Sequence, residues 1–302
     1  MNGIILKAYI ACAFFFWSAF TVAQMDNIDV QGHRGFRGMY PENTIPAFQH
    51  AIDLGVTTLE MDIVLSSENT WFVSHEPWLN HQICKDIQGR KIKKEHEQTF
   101  NLYWLSDLEI KSCDCGSIQN PNFPDQITLP VAKPTLQEVL EFCEDHAHDK
   151  GRTIKYNIEI KSVPEWEGIY QPGTEEYVDY LTDFMDRVDF MDRITIQCFD
   201  ERILRLLHEQ RPEWNLAYLV SNLRSLDSNV EFLGFTPTIY SPNYRFVTHK
   251  TIEQAKKMNI ILIPWTVNNE TSMKRLIDLG VDGVITDYPD RLLRLISRMK
   301  AE

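Results

Sequence analysis

Two acidic residues inside an apolar run are the first sign of chemistry in this chain. The segment Thr58–Leu65 reads T-L-E-M-D-I-V-L, so Glu60 and Asp62 alternate with apolar residues. Side chains of a β-strand alternate between two faces, and both carboxylates therefore share one face. Two buried carboxylates repel each other unless a cation lies between them. Oxygen ligands favour Ca²⁺ or Mg²⁺. The pair thus predicts a site for one divalent cation, although a lone Glu-x-Asp also suits the polar face of an edge strand.

A second segment repeats this pattern and adds a positive charge. The run Y-N-I-E-I-K puts Asn157, Glu159 and Lys161 on one face of a strand and two isoleucines on the other. Glu159 then supplies a third carboxylate to the same cavity. Lys161 suits a phosphate oxygen or a developing negative charge, or it pairs with Glu159. Two strands that both turn charge inward favour a functional site over a polar surface.

Two histidines could move protons in this cavity. His33 ends the first predicted strand and His75 ends the third. Because imidazole titrates near neutral pH, a pair of histidines can serve as general base and general acid. Arg34 could form two hydrogen bonds to phosphate oxygens, or it could pair with Glu42. Together with the carboxylates, these residues predict metal-assisted chemistry on a phosphate ester.

The elements that must position these residues alternate between strand and helix. This order is typical of parallel strands covered by helices. About eight such units in 302 residues predict a (β/α)8 TIM barrel, with a doubly wound sheet as the alternative. Nine strands are predicted for eight places, and too few residues join the second to the third for a crossover helix. One of the nine is therefore an extra strand or a hairpin arm. The predicted strands are Ile28–Gln31, Thr58–Leu65, Trp71–Ser74, Ile154–Ile160, Ile194–Cys198, Leu216–Val220, Thr238–Tyr240, Ile260–Trp265 and Gly283–Ile285.

One region, from about 79 to 130, interrupts the alternation. It is charged at its start, rich in turn residues near its end, and contains no recognisable barrel unit. Loops that follow barrel strands form the catalytic face. The region is therefore predicted to be an insertion on the rim, either capping the site or remaining a solvated excursion. Apart from this insertion, residues 24–302 are interpreted as a single TIM-barrel domain.

The N-terminus has the pattern of a secretory signal peptide. Lys7 precedes the almost wholly apolar stretch Ala8–Val22, and small residues end at Ala23. Residues 1–23 are therefore predicted to direct export to the periplasm or out of the cell, with an uncleaved anchor as the alternative. No later stretch approaches ~18 apolar residues, so no stable membrane insertion is expected after cleavage. The net charge of −13 argues against a nucleic-acid partner, since phosphates are neutralised by Lys and Arg.

Five cysteines follow the signal segment, and they allow at most two disulfides and one free thiol. Cys143 lies in an apolar helical stripe and Cys198 ends an apolar strand, so both are predicted to be free thiols. Cys84 could pair with either Cys113 or Cys115, and the spacing does not decide between them. Zinc is disfavoured because no histidine pair at ligand spacing accompanies these cysteines.

Taken in order, these motifs resemble the glycerophosphodiester phosphodiesterase family in its exported bacterial form. The resemblance extends from about Val30 to Pro289, nearly the whole chain after the signal. It rests on H-R-G at 33–35, P-E-N-T at 41–44, E-x-D at 60–62, His75, N-I-E-I-K at 157–161, Q-C-F-D at 197–200, W-T-V-N at 265–268 and V-D-G-V-I-T-D-Y-P at 281–289.

The resemblance implies a distorted TIM barrel, one divalent cation, Ca²⁺ or Mg²⁺, and hydrolysis of glycerophosphodiesters to sn-glycerol 3-phosphate and an alcohol. The roles it implies are metal ligation by Glu60, Asp62 and Glu159, acid–base catalysis by His33 and His75, phosphate contact by Arg34 and Lys161, and walls on the glycerol and leaving-group side from Phe199 and Trp265. Two residues depart from the family pattern. Glu76 stands where aspartate usually follows the second histidine, and Cys198 stands where serine is common.

The sequence leaves the reaction path and two other functions open. Hydrolysis could pass through a cyclic glycerol phosphate or through direct attack by water. A lysophospholipase D or sphingomyelinase-D-like enzyme would share the barrel and is expected to have an apolar rim, whereas the insertion is charged at its start. A non-catalytic surface protein that binds phosphodiesters is expected to lack a histidine or a metal carboxylate, and all of these are present.

Overall fold

The computed structural model describes residues 28–301, and the predicted signal segment 1–23 lies outside the described residues. The strands are β1 Asp29–Gly32, β2 Thr58–Leu65, β3 Trp71–Val73, β4 Lys155–Ile160, β5 Ile194–Cys198, β6 Asn215–Val220, β7 Ile239–Pro242, β8 Ile261–Leu262 and β9 Gly283–Thr286. The helices are α1 Ile45–Leu54, α2 Asp107–Lys111, α3 Leu136–Asp149, α4 Thr174–Met185, α5 Glu201–Gln210, α6 Leu226–Leu233, α7 His249–Met258, α8 Glu270–Leu279 and α9 Pro289–Ala301.

Eight parallel strands form a nearly closed barrel, which confirms the predicted fold. Their order is β8-β7-β6-β5-β4-β2-β1-β9, and backbone hydrogen bonds from Asp282 N to Leu262 O (3.0 Å) and from Ile285 N to Pro264 O (3.0 Å) join the two ends. The ninth strand, β3, pairs antiparallel with β2 and is therefore the hairpin arm. β8 ends earlier than predicted because Pro264 has no N–H to donate to the strand ladder.

The interior of the barrel is divided into a polar half and an apolar half. Strands β1, β2, β4 and β5 turn polar side chains inward, and Asn157 Nδ2 donates to Gln31 Oε1 (2.8 Å) and to Gln197 Oε1 (3.1 Å). The opposite half is filled by a separate apolar cluster of Ala217, Ile239, Ile263 and Ile285. The main hydrophobic core lies outside the barrel, between the strands and the helices. The polar half therefore carries the chemistry.

The helices begin and end at the signals that the sequence contains. Thr44 Oγ1 accepts a hydrogen bond from Ala47 N (3.4 Å) at the start of α1, and Gly55 ends this helix with φ +93°. Thr135 and Glu138 form a capping box at the start of α3. None of the helices between residues 28 and 301 is long and apolar enough to cross a membrane.

The segment between β3 and α3 has a small hydrophobic core of its own. Cys84 is bonded to Cys115, which settles the choice that the spacing left open, and Cys113 stays a buried free thiol. These residues pack with Leu79, Ile83, Ile92, Leu102 and Ile110 against Val64 and Phe72 of the hairpin. Cys143 and Cys198 are also free and buried. The segment is thus fixed to the β2–β3 hairpin, whose end carries His75.

Candidate active site

Three buried carboxylates meet where β2 and β4 run side by side. Asp62 is paired in register with Glu159, and Glu60 with Asn157, so the alternation brings Glu60, Asp62 and Glu159 to one face. One carboxylate oxygen from each lies within 4.8 Å of the others. All three predicted metal ligands are therefore together, with hardly any exposure to solvent.

Their mutual repulsion perturbs their ionisation. Burial and the charges of Asp62 and Glu159 raise the pKa of Glu60 well above its usual range. Burial also raises the pKa of Glu159, against the opposing effect of Lys161. In Asp62 burial acts in the same sense, but the positive charges of Arg34, His75 and Lys161 outweigh it and hold the pKa well below its usual range.

The hydrogen bonds of the three carboxylates leave one buried oxygen without a partner. Gln197 Nε2 donates to Glu60 Oε1 (2.8 Å), and Asn43 Nδ2 donates to Asp62 Oδ2 (2.8 Å). Asp62 Oδ1 is buried and accepts no hydrogen bond from the described residues. Such an oxygen is costly to bury unless it has a partner. Three hard oxygen ligands around this atom fit a divalent cation such as Ca²⁺ or Mg²⁺.

His33 is held by a carboxylate that the sequence reasoning did not assign. Its Nδ1 lies 2.6 Å from Asp287 Oδ1, and its Nε2 lies 3.9 Å from Glu60 Oε2. Asn268 in turn donates from Nδ2 to Asp287 Oδ2 (2.6 Å) and accepts from Asp287 N at Oδ1 (3.0 Å). A carboxylate can only accept, so Nδ1 carries the proton and Nε2 presents its lone pair to the carboxylates.

Burial lowers the pKa of His33 more than the charge of Asp287 raises it. The imidazole is therefore neutral at neutral pH and able to accept a proton. Burial alone would raise the pKa of Asp287, but the charge of His33 and its hydrogen bond lower it to about 2. The pair is thus a neutral imidazole beside an ionised carboxylate.

His75 lies in the turn that follows β3, where its charge acts on Asp62 and Glu159. Its Nδ1 is 2.8 Å from Glu76 Oε1, and about a third of its side chain is exposed. Burial would raise the pKa of Glu76, but the hydrogen bond and charge of His75, with Arg34 and Lys133, hold it below its usual range. Glu76, the residue that departs from the family pattern, therefore orients His75 as an ionised carboxylate.

Arg34 reaches the same centre from the turn after β1. Its Nη1 lies 2.6 Å from Glu42 Oε1, and its Nε lies 3.2 Å from Asp62 Oδ2. The turn needs glycine at the next position, because Gly35 has φ +85° and a Cβ there would lie 2.7 Å from the carbonyl carbon of Ala47. The pairing of Arg34 with Glu42, which the sequence offered as an alternative to phosphate contact, is thus present.

Lys161 and two aromatic residues complete the predicted set. Lys161 Nζ lies 2.6 Å from Glu159 Oε1 and 3.8 Å from Asp62 Oδ1. Phe199 follows β5 and Trp265 follows β8, and their rings meet edge to face with centroids 5.3 Å apart. Phe199 is 39% exposed, and Trp265 Nε1 donates to Ser241 O (2.7 Å). The two rings form a wall at the mouth of the barrel.

Five residues of the site were not singled out from the sequence. They are Asn43, Lys133, Gln197, Asn268 and Asp287. Four of them lie within the motifs of the resemblance, namely Asn43, Gln197, Asn268 and Asp287. A closed barrel places its last strand beside its first, so the predicted fold itself indicates that Asp287 lies near His33. Lys133 lies outside every motif, and no signal in the sequence pointed to it.

Comparison with known proteins gives a family match over most of the chain. Residues 33–291 match the model of the glycerophosphoryl diester phosphodiesterase family. A Bacillus altitudinis protein named glycerophosphodiester phosphodiesterase is 30% identical over 273 residues, which cover 89% of this chain and 98% of that protein.

Two solved structures share the fold. The first is a Silicibacter pomeroyi protein described as a candidate glycerophosphoryl diester phosphodiesterase, with a TM-score of 0.81 and 28% identity over 90% of this chain and 94% of that one. The second is an Oleispira antarctica phosphodiesterase in complex with the product sn-glycerol-3-phosphate, with a TM-score of 0.69 and 21% identity over 89% of this chain and 96% of that one. The resemblance drawn from the motifs is confirmed.

Proposed function

The chain belongs to the glycerophosphoryl diester phosphodiesterase family, and we propose that this glycerophosphodiester phosphodiesterase releases sn-glycerol 3-phosphate and an alcohol through acid–base catalysis by His33 and His75. The observation that carries the proposal is the convergence of two carboxylate-oriented imidazoles on three buried carboxylates. Glu60, Asp62 and Glu159 would hold one divalent cation. That cation, when bound, supplies Lewis-acid polarisation of a phosphoryl oxygen and neutralises charge in the transition state.

His33 is suited to act as the general base. Asp287 fixes the tautomer in which Nε2 is unprotonated, and burial keeps the ring neutral. Nε2 would take the proton of the glycerol hydroxyl next to the ester, whose oxygen attacks phosphorus. The bond from phosphorus to the leaving alcohol then breaks.

His75 is suited to act as the general acid. The ionised carboxylate of Glu76 accepts from its Nδ1. As the general acid, His75 would enter the reaction protonated on both nitrogens and donate from Nε2 to the departing alcohol oxygen. Water would then open the cyclic glycerol phosphate as the two histidines exchange roles. Direct attack by water, with His33 taking its proton, is the alternative path.

The remaining charged and aromatic groups would hold the substrate. Arg34 and Lys161 are positive groups beside the carboxylates and would contact phosphate oxygens as charge develops there. Phe199 and Trp265 would pack against the apolar edge of the glycerol and leaving group. These contacts raise the rate by fixing the reacting atoms in line.

Release of sn-glycerol 3-phosphate from glycerophosphocholine, measured with Ca²⁺ or Mg²⁺ and with a chelator, tests the function. We expect release that the chelator abolishes, and a loss of at least ~10²-fold in kcat for His33→Ala and for His75→Ala. His148→Ala is the control, because His148 is 92% exposed on α3. Full activity in either site variant would refute the role of that histidine. Phosphorus NMR under single turnover separates the two paths, since only one of them produces a cyclic phosphate.

A lysophospholipase D activity is the second candidate, and exposed apolar residues on the catalytic face favour it. Loops that follow strands gather at the carboxyl end of a barrel. Ile169, Phe199, Leu223 and Phe246 lie on four such loops and are exposed by 45%, 39%, 88% and 36%. An apolar rim of this kind suits the acyl chain of a lysophospholipid.

Activity on lysophosphatidylcholine above its critical micelle concentration, compared with glycerophosphocholine, distinguishes the two substrates. If lipid is a substrate, Leu223→Glu should lower activity on the micelles and leave activity on glycerophosphocholine unchanged. Leu54→Glu is the matched control, because Leu54 is also exposed but lies at the end of α1, on the opposite face of the barrel. If wild type and Leu223→Glu hydrolyse the lysophosphatidylcholine micelles at the same rate, the apolar rim does not support this candidate.

We also propose that the protein works outside the cytoplasm. The disulfide between Cys84 and Cys115 supports an oxidising compartment, as does the predicted signal peptide. N-terminal sequencing of the exported protein should find a start after Ala23. A protein that keeps residues 1–23 and stays in the cytoplasm would contradict the proposal.

A further inference from the structure

Lys133 lies beside the active site on a segment that is fixed at both ends. Cys115 N donates to Val131 O (2.7 Å), which ties the segment to the disulfide, and Val73 N donates to Pro134 O (2.9 Å), which ties it to β3. β3 leads directly into the turn that carries His75. The backbone of Lys133 is therefore held at the edge of the site by two elements.

The side chain of Lys133 is nearly buried beside the site residues. Lys133 is 5% exposed. The charges that act on it belong to Glu76, Glu42, Arg34 and Asp62, which come from the turn after β3, the loop between β1 and α1, and strand β2. Burial lowers the pKa of Lys133, and the carboxylates only partly offset this effect.

Lys133 differs from the other cations of the site because it has no partner. Arg34 is bound to Glu42 and Asp62, and Lys161 is bound to Glu159. Lys133 forms no hydrogen bond and no ion pair with any residue between 28 and 301. A nearly buried lysine without a counter-ion is unfavourable, and side chains of this type are normally paired.

We propose that Lys133 binds the phosphate group of the substrate and product, so that its counter-ion arrives with the ligand. The inference rests on the proposed function, because it takes the ligand to be a glycerophosphodiester or sn-glycerol 3-phosphate. Arg34 and Lys161 are already paired with carboxylates of the protein, whereas Lys133 is able to pair with a phosphate oxygen alone. The dianionic product gains more from this contact than the monoanionic diester.

Binding of sn-glycerol 3-phosphate, measured by calorimetry with Mg²⁺ present and again with a chelator, tests the inference without turnover. We expect Lys133→Met to weaken binding by about tenfold or more in both conditions, the usual loss for a hydrogen bond to a charged group. Lys93→Met is the matched control, since Lys93 is an exposed lysine of the same segment between β3 and α3, and it should bind like wild type.

The structural alternative is that Lys133 only balances the charge of Glu76. In that case Lys133→Met should melt several degrees lower, and the double variant Glu76→Gln/Lys133→Met should bind as tightly as Glu76→Gln alone. By our inference Lys133→Met melts no lower than wild type without ligand, and the double variant stays about tenfold weaker than Glu76→Gln. Affinity within twofold of wild type in Lys133→Met, or no binding by wild type, would also overturn it. If no glycerophosphodiester is hydrolysed but binding depends on Lys133, the proposed function fails and this inference stands.

Discussion

Replacing Asp287 with asparagine should reverse the tautomer of His33. Asp287 lies between two donors, because it accepts from His33 Nδ1 at one oxygen and from Asn268 Nδ2 at the other. An amide at 287 has only one acceptor oxygen. If that oxygen faces Asn268, its NH₂ group faces His33 and Nδ1 must become the acceptor. Nε2 then carries the proton and can no longer act as a base.

The size of the effect follows from the ionisation of Asp287. Its pKa is lowered from 3.8 to about 2 against the opposing effect of burial. At ~1.4 kcal/mol per pKa unit, the partners of Asp287 favour its ionised form by about 2 kcal/mol. His33 shares this interaction with Arg37 and Asn268. We therefore expect kcat to fall by roughly 10- to 100-fold in Asp287→Asn, within the range for a misplaced acid–base residue.

A swapped pair separates tautomer reversal from a general loss of structure. In Asp287→Asn/Asn268→Asp, the new carboxylate accepts from the NH₂ of residue 287, whose amide oxygen is then free to face His33. It can also still accept from the backbone N of residue 287, as Asn268 does now. We expect the double variant to regain at least about a third of the decrease in log kcat. The tautomer is restored in this variant, although the charge next to His33 is not.

Nitrogen-15 NMR of labelled histidine, with the rate of sn-glycerol 3-phosphate release, checks both expectations. Wild type and the swapped pair should show a protonated Nδ1 on His33, and Asp287→Asn should show a protonated Nε2. Refutation would come from an Asp287→Asn variant with the wild-type tautomer and a lowered kcat. It would also come from a swapped pair that is slower than the single variant.

Three other predictions concern stability. Saturation with Mg²⁺ or Ca²⁺ should raise the unfolding free energy by about 2.7 kcal/mol at 100 times Kd. Glu60→Gln should melt higher than wild type without metal and lose this increment, because it relieves repulsion with Asp62; a lower Tm without metal would contradict the reasoning. A carboxyl group whose pKa is lower in the folded than in the unfolded protein stabilises the fold at pH values above its unfolded pKa. This stability is lost as the pH falls through its folded pKa. Urea titrations should therefore show the advantage of wild type over Asp287→Asn shrinking by about 2 kcal/mol from pH ~5 to ~2, and a constant difference would count against it. Replacing Cys84 and Cys115, 31 residues apart, with serine should lower the unfolding free energy by on the order of 3–4 kcal/mol in denaturant melts, whereas an unchanged midpoint would mean that the bond is not formed.

The sequence predicted the parts of the site that depend only on the residue pattern within a single strand. Alternation within Thr58–Leu65 was enough to put Glu60 and Asp62 on one face, since the period of a strand does not depend on its neighbours. The role of β3 was undecided for the opposite reason. Pairing direction depends on the partner strand, and the short connection only excluded a parallel crossover.

The contacts that the sequence did not predict join distant parts of the chain. Asp287 and His33 are 254 residues apart, and they meet only because β9 closes the barrel against β1. Lys133 reaches the site because the next residue, Pro134, accepts a backbone hydrogen bond from Val73, and this pairing has no local sequence signal. The exposed apolar rim is similar, because each loop contributes a single residue such as Leu223, and one residue forms no pattern.

The floor of the site has a consequence for how the enzyme can adapt to acidity. Asn157, Gln31 and Gln197 hold one another below the carboxylates, and Gln197 also holds Glu60. Carboxamides neither gain nor lose protons over the range in which histidines titrate. The supporting framework therefore keeps its shape when the charge above it changes. An optimum pH could then be moved by exchanging residues around His33 or His75 alone, without rebuilding the barrel beneath them.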